Sequence, residues 1–275
     1  MSTPSRHIEV HGHRGARARY SENTLPGFEY AIAVGVDAIE LDVAVTRDNV
    51  VVVSHDPVLE GPLCTGPAKP TGPSARAVIR GSTFAELRQW DCGSVRHPDF
   101  AQQRTCPGAR VPSLDEVFAL APRGGFRFNV EIKSFPDRPD LAPEPDEFAR
   151  LVWDAIRNRR QEERTIVQSF DVRVLRAMKR LAPEIALAAL FEEDLDFVEA
   201  AQLAQAGTAA PEHRWVTTDK VRSAHAAGIR VVPWTANQPE DWERLADAEV
   251  DGIITDDPEA LIAFFRVPER APVGL

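Results

Sequence analysis

The sequence predicts an α/β protein whose parallel strands close into a single barrel. Short apolar runs alternate with helical patterns along the 275 residues, as expected for strands joined by helical crossovers. The length is that of one eight-stranded α/β barrel domain. A doubly wound sheet calls for a glycine-rich turn after the first strand, and no G-x-G-x-x-G pattern follows that strand. The barrel is therefore the better prediction.

The predicted strands are short and rich in aliphatic residues. They span residues 8–12, 37–45, 50–54, 126–133, 165–169, 185–190, 207–210, 229–235 and 252–255. The number of predicted strands exceeds the eight of such a barrel by one. The stretch AVTRDNVVVV accounts for the additional strand, because Asp48 and Asn49 are typical of a tight hairpin turn. A hairpin joins antiparallel strands. One strand of this pair is therefore expected to lie outside the barrel or to distort it.

Several helices carry recognisable start signals. In STFAE and SLDE, Thr83 and Ser113 each stand three residues before a glutamate, which predicts a capping box. Asp171 is the predicted N-cap of the helix in FDVRVLRAMKRLAP. Pro258 stands near another helix start, where its missing N–H costs no hydrogen bond.

Residues 56–112 interrupt this alternation. They are dense in Pro and Gly and then polar and irregular. Long irregular segments in compact domains are usually functional or mobile. We predict a single domain over residues 1–275, with an insertion at about 56–112 that stands over the barrel mouth.

Composition and charge restrict the class of partner. A formal net charge of −10 argues against nucleic-acid binding, which requires a basic face. A small phosphorylated substrate remains compatible, since a local basic cluster can oppose the global charge. No run approaches the roughly 18 apolar residues of a membrane span, so stable membrane insertion is not expected.

The cysteines and the N-terminus predict a cytoplasmic protein. MSTPSRHIEV lacks the apolar region of a secretory signal. Cys64, Cys92 and Cys106 are odd in number and show no C-x-x-C spacing, which favours reduced thiols over a disulfide framework or a zinc site. A single bridge within this segment stays open as the alternative.

Ionisable residues occur in two predicted strands that should otherwise be apolar. In IELDV, Glu40 and Asp42 project to one face of the strand. In FNVEIK, Glu131 and Lys133 also share a face. The intervening apolar residues suit the face that packs on helices, so we predict that the carboxylates point into the barrel mouth.

Three inward carboxylates predict a bound cation. Carboxylates this close do not all stay ionised without positive charge nearby. Because the set is all oxygen, it suits one hard divalent ion, Mg²⁺ or Ca²⁺. The alternative is a network of ion pairs with Lys133 and Arg14.

Histidines and further cations surround this cluster and point to phosphate chemistry. The predicted hairpin brings His55 of SHDP close to Asp42, and HGHRG supplies His13 and Arg14 at the end of the first strand. Arginine and lysine bind anionic oxygens, and histidine moves protons near neutral pH. His11 has no assigned role.

The same residues carry a family resemblance. HRGARARYSENTLPGFEYAIAVGVDAIELDVAVTRDNVVVVSHDP, followed by PSLDEVF, VEIK, QSF, PWTAN and DGIITDDP, resembles the glycerophosphodiester phosphodiesterase family from about residue 7 to residue 262. The resemblance implies a distorted TIM (β/α)8 barrel with a small inserted subdomain. It also implies hydrolysis of a small-molecule glycerophosphodiester.

The resemblance further implies a role for each matched residue. Glu40, Asp42 and Glu131 match the family's metal ligands, and His13 and His55 match its acid–base pair. Arg14, Lys133 and Trp234 match substrate-binding positions. Barrel packing is an equally good interpretation of Trp234. Glu22 and Asn23 match the family's E-N-T motif, either as substrate contacts or as residues that fix the loop.

Two rival functions remain at this point. One is a phospholipase D-like lyase on the same barrel, which acts on intact lipids and ends at a cyclic phosphate. The other is a binding protein that holds glycerophosphodiesters without turnover. The presence of both His13 and His55 favours an enzyme, because binding alone requires only the cation and the basic residues.

Overall fold

The computed structural model describes residues 7–61, 63–67 and 76–266. The strands in this part are β1 (Glu9–Gly12), β2 (Ala38–Val45), β3 (Val51–Val53), β4 (Val58–Glu60), β5 (Arg76–Val78), β6 (Arg127–Ile132), β7 (Thr165–Ser169), β8 (Ala186–Phe191), β9 (Thr208–Pro211), β10 (Arg230–Val231) and β11 (Gly252–Thr255). The α-helices are α1 (Leu25–Val34), α2 (Phe84–Leu87), α3 (Leu114–Phe118), α4 (Pro145–Asn158), α5 (Val172–Leu181), α6 (Phe197–Ala204), α7 (Thr218–Ala226), α8 (Pro239–Asp247) and α9 (Pro258–Arg266).

Eight parallel strands form the predicted barrel. Their order is β10-β9-β8-β7-β6-β2-β1-β11. The two end strands are joined by backbone hydrogen bonds from Asp251 N to Val231 O (2.8 Å) and from Ile254 N to Pro233 O (2.9 Å). β10 is shorter than the predicted 229–235, because Pro233 has no N–H to donate to a neighbouring strand. The fold is a TIM-type barrel.

The surplus strand is the hairpin partner of β2, as predicted. β3 pairs antiparallel with β2, with Val43 opposite Val53, and it has no place in the order of the barrel strands. Asn49 adopts a positive φ of 61° in the turn, a conformation that asparagine tolerates. The pairing continues to Ser54, whose N–H donates to Asp42 O at 2.9 Å. His55 therefore follows directly after the residue opposite Asp42.

Helix caps and burial follow the sequence pattern. Thr83 and Ser113 each complete a capping box, Asp171 accepts from Arg173 N, and Pro258 is the first residue of α9. The apolar residues of β2 and β6 lie in the main hydrophobic cluster between barrel and helices; they include Leu41, Val43, Phe128, Val130 and Ile132. Since neighbours along a strand face opposite sides, the intervening carboxylates face the barrel interior.

Part of the predicted insertion folds against the β2–β3 hairpin. β4 and β5 form a separate two-stranded antiparallel sheet. A second apolar cluster joins this segment to the hairpin, and its buried members are Ala44, Val52, Leu59, Ile79, Leu87, Trp90 and Val111. Residues 62 and 68–75 of the Pro- and Gly-rich stretch lie outside the described residues.

The prediction of three reduced thiols is wrong. Cys64 and Cys92 form a disulfide, and Cys106 is the free cysteine. The next residues inward, Thr65 and Asp91, pair through two backbone hydrogen bonds of 2.7 and 2.9 Å, which brings the two cysteines face to face. This pairing joins residues 28 positions apart within an irregular loop, so sequence spacing gives no signal for it.

A helix that crosses a membrane must be both long and apolar. None of the helices in the described part of the chain combines the length and the hydropathy that a membrane span requires.

Candidate active site

The loop after β1 is a tight turn that places His13 and Arg14 at the barrel mouth. Gly15 has φ = 91°, and its N–H donates to Gly12 O and to Glu40 O, both at 3.1 Å. A Cβ on Gly12 would lie 2.1 Å from Gly15 O, so the turn tolerates no side chain there. Arg14 itself adopts φ = 51°. The two glycines thus let the loop fold back over β2.

The predicted carboxylates converge at this end of the barrel. Glu40, Asp42 and Glu131 each offer an oxygen within 4.8 Å of the other two. All three are buried, with no more than 6% of each residue exposed. In the register, Asp42 lies directly opposite Glu131 across the β2–β6 pair. The sequence pattern therefore predicted this cluster correctly as a spatial group.

Two cations lie against the cluster. Lys133 Nζ is 2.8 Å from Glu131 Oε1 and 3.4 Å from Asp42 Oδ1. Arg14 Nε is 3.5 Å from Asp42 Oδ2, and its backbone N–H donates to Glu40 Oε2 at 2.7 Å. The predicted alternative, a network of ion pairs, is thus part of the same site. When all three carboxylates are ionised, these two cations leave the cluster with an excess of negative charge.

The electrostatics of the three carboxyl groups differ. Burial would raise the pKa of Asp42, but the charges of Arg14 and Lys133 hold it well below its usual value. Burial and the charge of Asp42 raise the pKa of Glu131 to about 7. Burial and both neighbouring carboxylates raise the pKa of Glu40 well above its usual value. Additional positive charge at this point would favour the ionised form of all three groups.

The donor set fits a hard divalent cation. It consists of carboxylate oxygens, which Mg²⁺ and Ca²⁺ prefer. Within the described part of the chain, the buried Asp42 Oδ1 accepts no hydrogen bond and has only the 3.4 Å ion-pair contact with Lys133 Nζ. A buried carboxylate oxygen without a hydrogen bond is costly, and coordination of a cation would satisfy it.

His13 is held by an aspartate that was not among the residues predicted for the site. His13 Nδ1 lies 2.5 Å from Asp256 Oδ1, directly after β11. Burial lowers the pKa of His13, although Asp256 opposes that shift. A proton on Nδ1 donates to the carboxylate, which leaves Nε2 as the basic nitrogen. Asp256 also accepts a hydrogen bond from Asn237 Nδ2 at 2.8 Å.

His55 is more exposed than His13. Its side chain is 31% accessible, and Nδ1 lies 2.9 Å from Asp56 Oδ1. A positive charge on His55 would help to lower the pKa of Asp42 and would oppose the rise in the pKa of Glu131. The structure thus brings both predicted histidines to the carboxylate cluster.

Trp234 belongs to an aromatic wall at the same mouth. Its ring packs edge-on against Phe170 with 5.3 Å between centroids, and its Nε1 donates to Ala210 O at 2.8 Å. Lys133 Nζ lies 5.8 Å from the centre of the Phe170 ring. Trp234 also packs on the small apolar cluster inside the barrel. Both interpretations of Trp234, barrel packing and a place beside the site, therefore agree with its contacts.

Glu22 and Asn23, whose roles the sequence did not decide, fix the loop after β1 and the carboxylate cluster. Glu22 pairs with Arg14 at 2.7 Å and with Arg17 at 2.9 Å. Asn23 Nδ2 donates to Asp42 Oδ2 at 2.8 Å. Asn23 is buried with φ = 54°, a conformation that most residue types avoid.

A cavity of about 230 Å³ lies between the inserted segment and the loops that carry these residues. Asn23 and His55 are among the residues that line it. Leu63, Val95 and both cysteines of the Cys64–Cys92 disulfide line it as well. The inserted segment therefore borders a space that His55 also lines.

Comparison with known proteins identifies the family. Residues 13–260 match the Glycerophosphoryl diester phosphodiesterase family. The chain belongs to this family. It is accordingly a phosphodiesterase, an enzyme that hydrolyses phosphoric diesters.

Individual relatives agree with this assignment. The phosphodiesterase is 34% identical over 260 residues to the glycerophosphodiester phosphodiesterase of Caldanaerobacter subterraneus subsp. tengcongensis, covering 94% of this chain and 97% of the relative. The crystal structure of a putative glycerophosphoryl diester phosphodiesterase from Silicibacter pomeroyi superposes with a TM-score of 0.86 at 33% identity, covering 96% of this chain and 94% of that one. A phosphodiesterase from Oleispira antarctica, solved with the product sn-glycerol-3-phosphate, shares the fold at 22% identity, with a TM-score of 0.79 over 94% of this chain and 96% of that one.

Proposed function

We propose that the chain hydrolyses small glycerophosphodiesters, such as glycerophosphocholine and glycerophosphoethanolamine, to sn-glycerol 3-phosphate and an alcohol. The observation that carries this proposal is the cluster of three buried carboxylates, within 4.8 Å of one another, flanked by Arg14, Lys133 and two histidines. Carboxylates coordinate a divalent cation. The cation and the basic side chains together would bind the phosphate group of a phosphodiester.

In this proposal Glu40, Asp42 and Glu131 hold one divalent cation, Mg²⁺ or Ca²⁺. When bound, the cation would supply Lewis-acid stabilisation of the charge on phosphate oxygens and would lower the pKa of a bound hydroxyl. Lys133 and Arg14 would bind the anionic oxygens of the diester. Trp234 and Phe170 would form the apolar wall against which the substrate is oriented.

His13 and His55 would carry the protons. One histidine removes the proton from the free 2-hydroxyl of the glycerol, whose oxygen attacks phosphorus. The other protonates the oxygen of the departing alcohol as its bond to phosphorus breaks. Water then opens the resulting cyclic phosphate by the reverse sequence of proton transfers. Asp256 would hold His13 with Nε2 towards the substrate.

Choline release tests the proposed activity. Purified protein incubated with glycerophosphocholine and Mg²⁺ or Ca²⁺ is expected to release choline, to stop when EDTA is added, and to resume when the ion is restored in excess. Absence of turnover with retained diester binding would favour the binding-protein alternative. Turnover that EDTA does not affect would contradict the proposed cation site.

The Asp256→Asn variant is expected to lower kcat at least roughly tenfold, because it removes the charge that orients His13 and stabilises its protonated form. Because the two side chains have nearly the same shape, the fold and the cation affinity should change little. Steady-state kinetics compare kcat of the variant with that of the wild type, and calorimetric titration compares their cation affinities. A kcat equal to that of the wild type would show that the 2.5 Å contact between His13 and Asp256 has no part in turnover.

We further propose that the inserted segment at about 56–112 faces the alcohol end of the substrate, since the cavity that it lines is also lined by His55. Val95→Trp would fill part of this cavity. We expect kcat/KM to fall more for glycerophosphocholine than for glycerophosphoethanolamine, because the trimethylammonium group is the bulkier head group. Leu203→Trp, at an exposed leucine of α6, is the control. An equal loss for both diesters, or no loss, would contradict this role.

Location and partners beyond the substrate stay predictions. The prediction of a cytoplasmic protein depended in part on reduced thiols. The Cys64–Cys92 disulfide removes that support. The expectation that the chain does not bind nucleic acid rests on its net charge of −10.

A further inference from the structure

A row of buried polar side chains runs through the barrel interior below the proposed cation site. His11, Asn129 and Gln168 lie on β1, β6 and β7, and each is at most 2% exposed. None of them has a part in the mechanism proposed above. Buried polar side chains are costly unless they are hydrogen-bonded, so their partners indicate what the row does.

The row is continuous from Glu9 at the opposite end of the barrel to Glu40. His11 Nε2 lies 3.2 Å from Glu9 Oε2. Asn129 Nδ2 lies 3.4 Å from His11 Nδ1 and donates to Gln168 Oε1 at 3.0 Å. Gln168 Nε2 donates to Glu40 Oε1 at 3.1 Å.

The charge at the Glu9 end determines the direction of every hydrogen bond in the row. Burial would raise the pKa of Glu9, but hydrogen bonds from His11 and Arg230 lower it to about 2, so its carboxylate only accepts. Burial lowers the pKa of His11, so its ring is neutral, with its one proton on Nε2 facing Glu9 and with Nδ1 as an acceptor. Asn129 must then direct its NH2 group to both His11 and Gln168.

Gln168 is fixed as a consequence. Its Oε1 accepts from Asn129, so its NH2 group faces Glu40. If the Gln168 amide were flipped, its oxygen would face the Glu40 carboxylate. Its NH2 group would then face the NH2 group of Asn129. Glu40 is thus held at both oxygens, by Gln168 Nε2 on Oε1 and by the Arg14 backbone N–H on Oε2 at 2.7 Å.

We propose that Gln168, oriented by Asn129 and His11, is a positioning residue that fixes the Glu40 carboxylate for binding the divalent cation. This inference rests on the proposed function, because it assigns Glu40 to the cation site. Groups that orient a metal ligand typically account for 10–100-fold in metal affinity or activity. A packing role alone would affect the stability of the fold and leave cation affinity unchanged.

The test compares Gln168→Met with Thr165→Val. The first keeps the length of the side chain and removes the N–H that reaches Glu40. The second is the control, since Thr165 is a buried residue of the same strand whose hydroxyl donates to Gln161 O at 2.8 Å, away from the row. Mg²⁺ and Ca²⁺ are titrated calorimetrically into each protein, and thermal unfolding is measured in EDTA.

We expect Gln168→Met to weaken cation binding by roughly 10–100-fold and to raise the Mg²⁺ concentration needed for half-maximal turnover by a similar factor. At saturating Mg²⁺, kcat should recover to within a few-fold of wild type. Thr165→Val should lower the unfolding temperature without changing cation affinity. Asn129→Leu, which leaves the Gln168 amide free to turn, should weaken cation binding in the same direction, and it serves as the test if Gln168→Met does not fold.

The outcomes separate this inference from the proposed function. Cation affinity equal to wild type in Gln168→Met or in Asn129→Leu would overturn the positioning role while leaving the proposed site intact. A wild-type protein that binds neither ion would overturn the proposed site and this inference together.

Discussion

Replacing either His13 or His55 by alanine is expected to lower kcat by roughly 10²-fold or more, the usual size of a general acid–base contribution. His13 is oriented by Asp256 at 2.5 Å, and His55 lies next to the residue opposite Asp42 in the β2–β3 pairing. Neither is one of the proposed cation ligands. The expected result is therefore a loss of turnover with nearly unchanged folding and cation affinity.

A control variant distinguishes the loss of proton transfer from the general effect of removing a partly buried histidine. His225 lies on α7, and its Nε2 is 2.9 Å from Asp251 Oδ2 at the other end of the barrel. His225→Ala should cost stability and leave kcat within a few-fold of wild type. Near-full turnover in His13→Ala or His55→Ala, measured under the same conditions, would remove that histidine from the mechanism.

Glu40→Gln and Glu131→Gln should abolish most of the activity and weaken cation binding by more than the roughly 10–100-fold expected for an outer hydrogen-bond partner. Each variant removes one of only three charged ligands. In the absence of metal, the same two substitutions should instead increase thermal stability. Because the pKa of Glu40 and of Glu131 is raised in the folded state, the ionised carboxylates destabilise the fold at neutral pH. Removing one charge should raise the unfolding temperature in EDTA.

Thermal unfolding with and without Mg²⁺ or Ca²⁺ measures both effects. The wild type should gain stability from the ion, since ligands that bind only the native state stabilise it, and the two variants should gain much less. Glu116→Gln, which alters a carboxylate in the capping box of α3, is the control for the substitution itself. Unchanged cation affinity in both Glu40→Gln and Glu131→Gln would contradict the ligand assignment.

The parts of the site that follow local sequence rules were predictable. Alternation in IELDV and FNVEIK predicted which carboxylates face the interior, and the hairpin turn at Asp48 and Asn49 predicted the approach of His55 to Asp42. These features depend on neighbours within one strand or one hairpin, where a period of two residues fixes the facing side chain. The HRG turn is equally local, since Gly12 and Gly15 meet within four residues.

The parts that depend on closure of the barrel were not predictable from the sequence. Asp256 contacts His13 across 243 positions of the chain, and only the closure of β11 onto β1 brings them together. Gln168 reaches Glu40 across 128 positions, and in the sequence it is only one polar residue in a short strand. The Cys64–Cys92 pair likewise depends on how an irregular loop folds back on itself.

We propose that this carboxylate cluster hydrolyses a glycerophosphodiester with the help of a bound cation and two histidines. Phosphorus NMR of the purified protein with glycerophosphocholine follows the whole reaction, because the diester, a cyclic phosphate and glycerol 3-phosphate give separate signals. We expect the diester signal to convert fully to glycerol 3-phosphate with Mg²⁺ or Ca²⁺, and EDTA or Glu40→Gln to largely prevent the conversion. A cyclic phosphate as the final product would contradict hydrolysis, and an unchanged diester signal with the ion present would contradict the claim as a whole.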